Sequence, residues 1–136
     1  MIDTHMPPPA DLVEELHAHL ARAGQALTAD QMPEFLLTVP GPDGTIDGGC
    51  KGEIAFETGH ISELWVSADR RGEGLGRRLL EAAEDLVRQK GCRRLHLETR
   101  NPSAEAIYAR LGYTVFGRLS NYDGDNDFVY MVKELT

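Results

Sequence analysis

The stretch 64-LWVSADRRGEGLGRRLLEAAEDL-86 decides the fold, because it passes from an extended apolar segment through a loop of glycines and arginines into an amphipathic helix. Three glycines and four arginines surround a single glutamate between Arg70 and Leu80. A helix N-terminus leaves backbone N–H groups unpaired, and neighbouring glycines let a phosphate approach them. We therefore interpret the loop as a diphosphate-binding turn.

The segments on either side of this loop predict an α/β fold with one mixed sheet. In the strand that enters the loop, alternation predicts that Glu63 shares a face with Ile61 and Trp65, while the residues between them point to the other face. The order strand, loop, helix and strand predicts a parallel strand pair. Strands are predicted at residues 34–39, 45–56, 60–67, 93–99, 113–118 and 127–134. Helices are predicted from Asp11 to Ala23, from Leu75 up to Gly91 and from Pro102 up to Gly112.

Size and charge limit the classes of function. The chain has 136 residues, enough for one hydrophobic core, so we expect a single domain over residues 1–136. Its formal net charge of -8 disfavours nucleic acid as a partner. We expect no membrane span, and the start of the chain lacks the pattern of a secretory signal, so a cytoplasmic location is predicted. Cys50 and Cys92 lack the spacing of a metal or disulfide framework and are interpreted as buried thiols.

Other phosphate and metal sites fit the sequence less well. The loop lacks the Gly-Lys-Ser/Thr ending of an ATP-binding P-loop. A dinucleotide site would use Gly74, Gly76 and an acid such as Glu98, but Leu79 occupies the position of its third glycine. The acidic residues between 123 and 134 have the spacing of a calcium loop, but Phe128 replaces the required glycine. We therefore expect no metal.

Two stretches resemble the motifs of the GNAT superfamily of acyl-CoA-dependent N-acetyltransferases. Residues 71–76 fit the pattern Arg/Gln-x-x-Gly-x-Gly/Ala of its cofactor motif, which corresponds to about residues 61–91 here. The stretch 101-NPSAEAIYARLGY-113 is similar to the second motif, about residues 93–113, with its asparagine, tyrosine and Gly-Tyr pair in place. The resemblance extends from Ile61 to Leu135, more than half of the chain.

The resemblance implies an α/β (α+β) fold with flanking helices and a mostly antiparallel sheet, in which the parallel strands 60–67 and 93–99 splay apart and admit the pantetheine arm of CoA. It implies acetyl-CoA as co-substrate, with the pyrophosphate on the amides of residues 71–77. The residues that it assigns to CoA binding are Leu64, Trp65, Val66, Arg71, Gly72, Glu73, Gly74, Leu75, Gly76, Arg77, Asn101, Ser103 and Tyr108.

Attack of an amine on a thioester needs a proton donor and a base. Tyr108 matches the family's tyrosine that protonates the departing thiolate, although a tyrosine on an apolar helix face is also a common core residue. For the base we predict Glu63, because an acid flanked by apolar residues on a central strand would be partly desolvated. The alternative is an exposed acid without a role, and His60 and His96 are weaker candidates.

We expect direct transfer in a ternary complex to a small-molecule primary amine. A protein N-terminus or lysine stays open as acceptor, and a homodimer is a further candidate assembly. Two alternatives remain: a non-catalytic acyl-CoA-binding module or sensor, and an interaction domain without cofactor. The family pattern begins with a strand, whereas residues 1–9 offer a very short one or none, so the acceptor side is less well determined than the cofactor side.

Overall fold

The computed structural model describes all 136 residues, which form two compact units, Met1–Met32 and Pro33–Thr136. Every predicted helix and strand is present, and only one end moves by more than two residues, because β5 continues to Asp123. The helices are α1 (Ala10–Arg22), α2 (Leu75–Gln89) and α3 (Pro102–Arg110). The strands are β1 (Glu34–Pro40), β2 (Ile46–Ala55), β3 (Thr58–Val66), β4 (Arg94–Thr99), β5 (Thr114–Asp123) and β6 (Asn126–Glu134).

The first unit contains α1, and residues 1–9 form no strand before that helix. The helix follows Pro9 and is followed by Gly24, whose φ of 73° lies in the left-handed region that favours glycine. A short helical turn then begins at Thr28, where the backbone N–H donates to the side chain of Gln31 at 2.9 Å. None of the helices combines the length and apolarity that a membrane crossing requires.

The second unit is built on one six-stranded sheet with the order β1-β2-β3-β4-β6-β5. All neighbouring strands are antiparallel except β3 and β4, which are parallel and are connected through α2. This mixed, mostly antiparallel sheet confirms the predicted fold class. The parallel connection places the glycine loop at the end of β3, directly before α2.

The core lies between α2 and the centre of the sheet. Gly59 lets the helix approach β3, since a Cβ atom there would lie 2.9 Å from Val87 and 3.0 Å from Leu95. Cys50 and Cys92 are buried free thiols, as predicted. The side chains that are almost fully buried here include Leu79, Leu80, Ala83, Val87, Leu95, Leu97, Val129 and Met131.

A bulge in β3 corrects the predicted faces of that strand. Gly52 pairs with Ile61 and the preceding residue, Lys51, pairs with Glu63, so Ser62 is an extra residue in the ladder. Ile61 is buried in the core, whereas Glu63 is exposed. Strict alternation therefore fails here, and Glu63 does not share a face with Ile61 or gain the desolvation that we expected from it.

The two parallel strands are paired over only part of their length. The ladder contains Thr58 with Arg94, Gly59 with Leu95 and His60 with His96, and no pair follows. Beyond that last pair β3 continues to Val66, while β4 remains paired with β6 up to Thr99. The sheet therefore opens into a V between β3 and β4, as the resemblance implied.

Candidate functional site

A cleft of about 600 Å³ lies where the free end of β3, the glycine loop, α2 and α3 meet. Ten of the residues predicted to bind CoA line it, namely Leu64, Trp65, Val66, Arg71, Gly72, Gly74, Leu75, Gly76, Arg77 and Tyr108. Arg70, Leu80, Ala104, Ile107 and Leu111 complete the lining. Leu80 comes from α2, and the other apolar residues of this second group come from α3 and its end. The helical spacing of Ala104, Ile107, Tyr108 and Leu111 in the sequence places these four residues on one face of α3.

The glycine loop exposes the first turn of α2 to the cleft. Gly72 and Gly74 have φ of 85° and 78°, and Gly74 is the residue that precedes the helix. The first helical hydrogen bond joins Arg78 N–H to the carbonyl of Gly74 at 3.0 Å, and no side chain caps the turn. The three N–H groups before Arg78 therefore have no partner within the helix and can donate hydrogen bonds to an anion.

The arginines around this turn differ in how far they are neutralised. Arg70 donates to Asp47 at 3.0 Å and to Glu73, and Arg77 donates to Glu81 at 2.8 Å. Arg71 has no carboxylate partner and donates only to the carbonyl oxygen of Val66 at 3.3 Å. Of the three arginines that line the cleft, Arg71 is therefore the one whose charge is free for a bound anion.

Tyr108 lies on the wall of the cleft that α3 provides. Its ring packs against the core, 6.2 Å from that of Tyr113 between centroids, and burial raises the pKa of its hydroxyl. The Tyr113 hydroxyl donates to Glu84 at 2.9 Å, whereas the Tyr108 hydroxyl has no hydrogen-bond partner in the protein. A neutral, half-buried hydroxyl without a partner can donate a proton to a ligand in the cleft.

Four of the predicted site residues, Glu63, Glu73, Asn101 and Ser103, do not line the cleft, and their roles stay predictions. Asn101 accepts a hydrogen bond from the Ser103 N–H at 2.9 Å and so caps α3, because an asparagine before a proline at the first helical position suits that role. Glu73 instead accepts from Arg70. Glu63 is exposed on β3, and its carboxylate has no hydrogen-bond partner in the protein.

A polar cluster that the sequence did not reveal lies on the sheet face away from α2. His60 Nδ1 is 2.5 Å from Glu53 Oε1, and His60 Nε2 is 2.8 Å from Glu98 Oε1. The ring of His96 stacks on that of His60 with centroids 4.5 Å apart, and its other neighbour is Phe116. These residues come from three strands, so no local motif could have predicted the cluster.

The two histidines have pKa values shifted in opposite directions. Burial would lower the pKa of His60, but the hydrogen bonds and negative charges of Glu53 and Glu98 together raise it above the usual value. Burial and the neighbouring His60 lower the pKa of His96, against a smaller opposing effect of the two glutamates. These opposite shifts favour the charged form of His60 and the neutral form of His96.

Comparisons with known proteins agree with this geometry. The model of the Acetyltransferase (GNAT) family matches residues 9–113. An acetyltransferase of Agrobacterium fabrum is 30% identical over 115 residues, or 85% of this chain and 81% of that protein. Blasticidin-S acetyltransferase of Streptomyces morookaense is 35% identical over 96 residues, or 70% of this chain and 71% of that protein. The crystal structure of an acetyltransferase from Bacillus cereus superposes with a TM-score of 0.83 at 26% identity, covering 98% of this chain and 96% of that one.

Proposed function

Because the chain belongs to the acetyltransferase (GNAT) family and is an acyl-CoA-dependent N-acetyltransferase, we propose that it transfers an acetyl group from acetyl-CoA directly to the primary amine of a small molecule. The observation that supports this most strongly is the cleft at the open end of β3, where unpaired helix N–H groups and the uncompensated Arg71 charge meet an apolar channel. An apolar channel suits the pantetheine arm, and the helix N-terminus suits the diphosphate.

The cysteines favour direct transfer over an acyl-enzyme. A nucleophilic cysteine must be a thiolate, but burial raises the pKa of the Cys50 thiol to about 11 and also raises that of Cys92. Neither thiol lines the cleft. The amine of the acceptor is therefore the nucleophile, and no metal is needed for its attack on a thioester. Tyr108 would donate its proton to the departing sulfur as the C–S bond breaks.

A small-molecule acceptor is supported by the aromatic rings that continue from His96 across β5 and β6. Phe116 lies 6.4 Å from His96 and 6.1 Å from Tyr130, and Phe128 lies 5.1 Å from Tyr130, all between ring centroids. Such rings pack against the apolar part of a small molecule and attract its ammonium group. The relative named blasticidin-S acetyltransferase is consistent with a small-molecule acceptor.

Thiol release tests this function against its alternatives. The purified protein and acetyl-CoA are mixed with one acceptor per reaction, and the free thiol of CoA is measured. The acceptors are benzylamine, spermidine, tryptamine and the peptide Ala-Ala-Ala. Release with one of the small amines supports the proposal, and release with the peptide alone would redirect it to protein N-termini. Binding of acetyl-CoA without release would indicate a non-catalytic module, and no binding would indicate an interaction domain.

A pair of glycine variants tests the cofactor side. Gly74 and Gly91 both have positive φ and open space around the missing Cβ, but Gly74 lies at the start of α2 and Gly91 just after its end. Valine should strain the backbone by a similar amount at both positions, about 1–2 kcal/mol. Only Gly74→Val should lower acetyl-CoA affinity, by about 100-fold or more, because its side chain blocks the approach of the diphosphate. Equal thermal stabilisation of both variants by acetyl-CoA would refute this cofactor site.

A further inference from the structure

The hydrogen bonds of His60 determine its protonation state. Both ring nitrogens face carboxylate oxygens, Nδ1 that of Glu53 and Nε2 those of Glu98 at 2.8 and 3.0 Å. An ionised carboxylate only accepts hydrogen bonds, so both nitrogens of His60 must donate and the ring is an imidazolium. A ring that already carries both protons cannot accept another. His60 therefore acts as a fixed cation that holds the two glutamates together.

His96 differs from His60 in that neither of its nitrogens has a hydrogen-bond partner in the protein. Its ring is held by packing instead, face to face on His60 and edge-on to Phe116. The titratable groups around it are His60 on β3, Glu53 on β2 and Glu98 on its own strand β4. Partial burial and, to a smaller extent, the positive charge of His60 lower the pKa of His96, so its neutral ring offers a free lone pair near pH 7.

The cluster of His60, His96, Glu53 and Glu98 lies beside the opening between β3 and β4 that connects the two faces of the sheet. His60 and His96 are the last pair in the β3–β4 ladder, and the V between the strands begins immediately beyond them. The cofactor cleft with Tyr108 lies on the face that carries α2. His60 and His96 lie on the other face, since the residues that precede them, Gly59 and Leu95, face Val87. An acceptor on the histidine face can therefore reach, through the V, a thioester held on the cleft face.

We propose that His96 accepts the proton of the acceptor ammonium, directly or through one water molecule, while His60, Glu53 and Glu98 position its ring. This inference rests on the proposed acetyl transfer. The ammonium gives one proton to His96, and the freed lone pair of nitrogen forms the C–N bond with the acetyl carbon as the C–S bond breaks. A second nitrogen proton reaches the CoA sulfur through the Tyr108 hydroxyl, and His96 returns its proton to water. The balance is ammonium plus acetyl-CoA to amide, CoA thiol and one proton.

A divalent metal is the competing use of His60, His96 and Glu98, whose ligand atoms lie within 4.8 Å of one another. The lone pair of an imidazole nitrogen lies in the plane of its ring. Because the two rings are stacked with an angle of only 24° between planes, their lone pairs run side by side and do not converge on one ion. The stacked arrangement is suited to proton transfer, and metal binding would require the pair to separate.

The test compares His96→Phe and His96→Gln with the parent protein. Phenylalanine keeps an aromatic ring between His60 and Phe116, and glutamine keeps a polar group that does not titrate. Both variants should bind acetyl-CoA as the parent does in a thermal-shift assay. Both should lose about 10²- to 10⁴-fold in turnover with the amine accepted by the parent, and both should lose the acidic limb of the kcat/KM profile. His17→Phe, which changes an exposed histidine of α1, is the control for the substitution itself.

His60→Phe should shift the acidic limb of the pH profile in a direction that a merely structural role of His60 would not produce. Removing the positive charge beside His96 raises the pKa of His96, so the acidic limb should move to higher pH, away from the parent limb below about pH 6.5. NMR titration of the histidine rings should independently find His60 titrating above His96 in the parent.

Several outcomes would overturn the proposal. Parent-like turnover in both His96 variants would do so while leaving acetyl transfer intact, as would loss of the acidic limb in Glu63→Gln but not in His96→Phe. Stoichiometric Zn²⁺ binding by the parent that disappears in His96→Phe would assign the cluster to a metal. If the parent releases no thiol with any amine of the panel, the proposed function and this inference fall together.

Discussion

Two polar clusters on opposite faces of the sheet differ in whether they are closed, that is, whether every polar side chain has a hydrogen-bond partner within the protein. On the face of α2, Glu84 is only 6% exposed, and its two oxygens accept from the Tyr113 hydroxyl at 2.9 Å and from Lys133 Nζ at 3.0 Å. On the other face, His60 and its glutamates are about a quarter exposed, and His96 has no hydrogen-bond partner. The first cluster satisfies itself, whereas the second is open to a ligand.

The comparison separates polar groups that hold the fold from those available for chemistry. A buried carboxylate must be paired, because leaving it unpaired costs several kcal/mol, and the closed cluster of Glu84, Tyr113 and Lys133 meets that requirement. A half-buried group without a partner exchanges its missing bonds with water or a substrate instead. Tyr108 belongs with the open groups although it lies only 6.2 Å from Tyr113, ring to ring. Proximity in the fold is therefore a poorer guide to role than hydrogen-bond closure.

Among the variants that compare Tyr108 with the closed cluster, the largest effect is expected from Tyr108→Phe. The ring contacts are kept and only the unpartnered hydroxyl is lost, so turnover should fall by about 10- to 10³-fold with little change in acetyl-CoA affinity. Tyr113→Phe is the matched control, because it removes the hydroxyl that donates to Glu84. It should lower the free energy of unfolding by about 1–2 kcal/mol and leave turnover per folded molecule unchanged. Turnover at the parent rate in Tyr108→Phe would make this tyrosine a core residue and break the comparison.

A smaller effect, on stability alone, is expected from Glu84→Gln. The amide keeps the volume of the side chain but leaves the partly buried Lys133 ammonium without its counter-charge. Because Lys133 is partly exposed, the loss in unfolding free energy should be about 2–3 kcal/mol, below the range for fully buried pairs. Asp85, the residue after Glu84 on α2, is exposed and pairs with Arg88. Asp85→Asn should lower the free energy of unfolding by less than about 0.5 kcal/mol. Urea unfolding of both variants measures the difference, and equal costs would show that burial does not distinguish Glu84.

The sequence predicted the backbone of the site better than its side-chain network. Glycine spacing, helix periodicity and turn residues located the loop and α2, because these signals are local. The bulge at Ser62 was not predictable from alternation, since a ladder with one extra residue depends on the partner strand. That single residue separated Glu63 from the face of Ile61 and removed the reason for choosing it as base.

The histidine cluster was missed for a related reason. His60 and Glu98 are 38 residues apart and meet only because β3 and β4 are parallel and in register at His96. Strand order was predictable as a class, but the register that stacks His96 on His60 was not. Asn101 is the opposite case, because its role as the cap of α3 follows from the local sequence alone, while its predicted contact with CoA stays a prediction.

The smallest expected effect is the pH dependence of stability, which tests whether the open cluster holds one charged and one neutral ring. The pKa of His60 is raised in the folded state, so its stabilisation is complete below about pH 6.5 and is lost as pH rises through the folded value. The pKa of His96 is lowered, so it contributes nothing above about pH 6.5 and destabilises the fold as pH falls below that value. The two contributions oppose each other in the parent.

His96→Phe removes the destabilising contribution of His96. Between about pH 8 and pH 5.5 the unfolding free energy of this variant should therefore gain up to about 1 kcal/mol relative to the parent. His60→Phe should change it in the opposite sense, and His17→Phe, which alters an exposed histidine of α1, controls for the substitution itself. Urea unfolding at both pH values measures the differences, and a shift of the same sign in His60→Phe and His96→Phe would mean that the two rings do not carry opposite charge states.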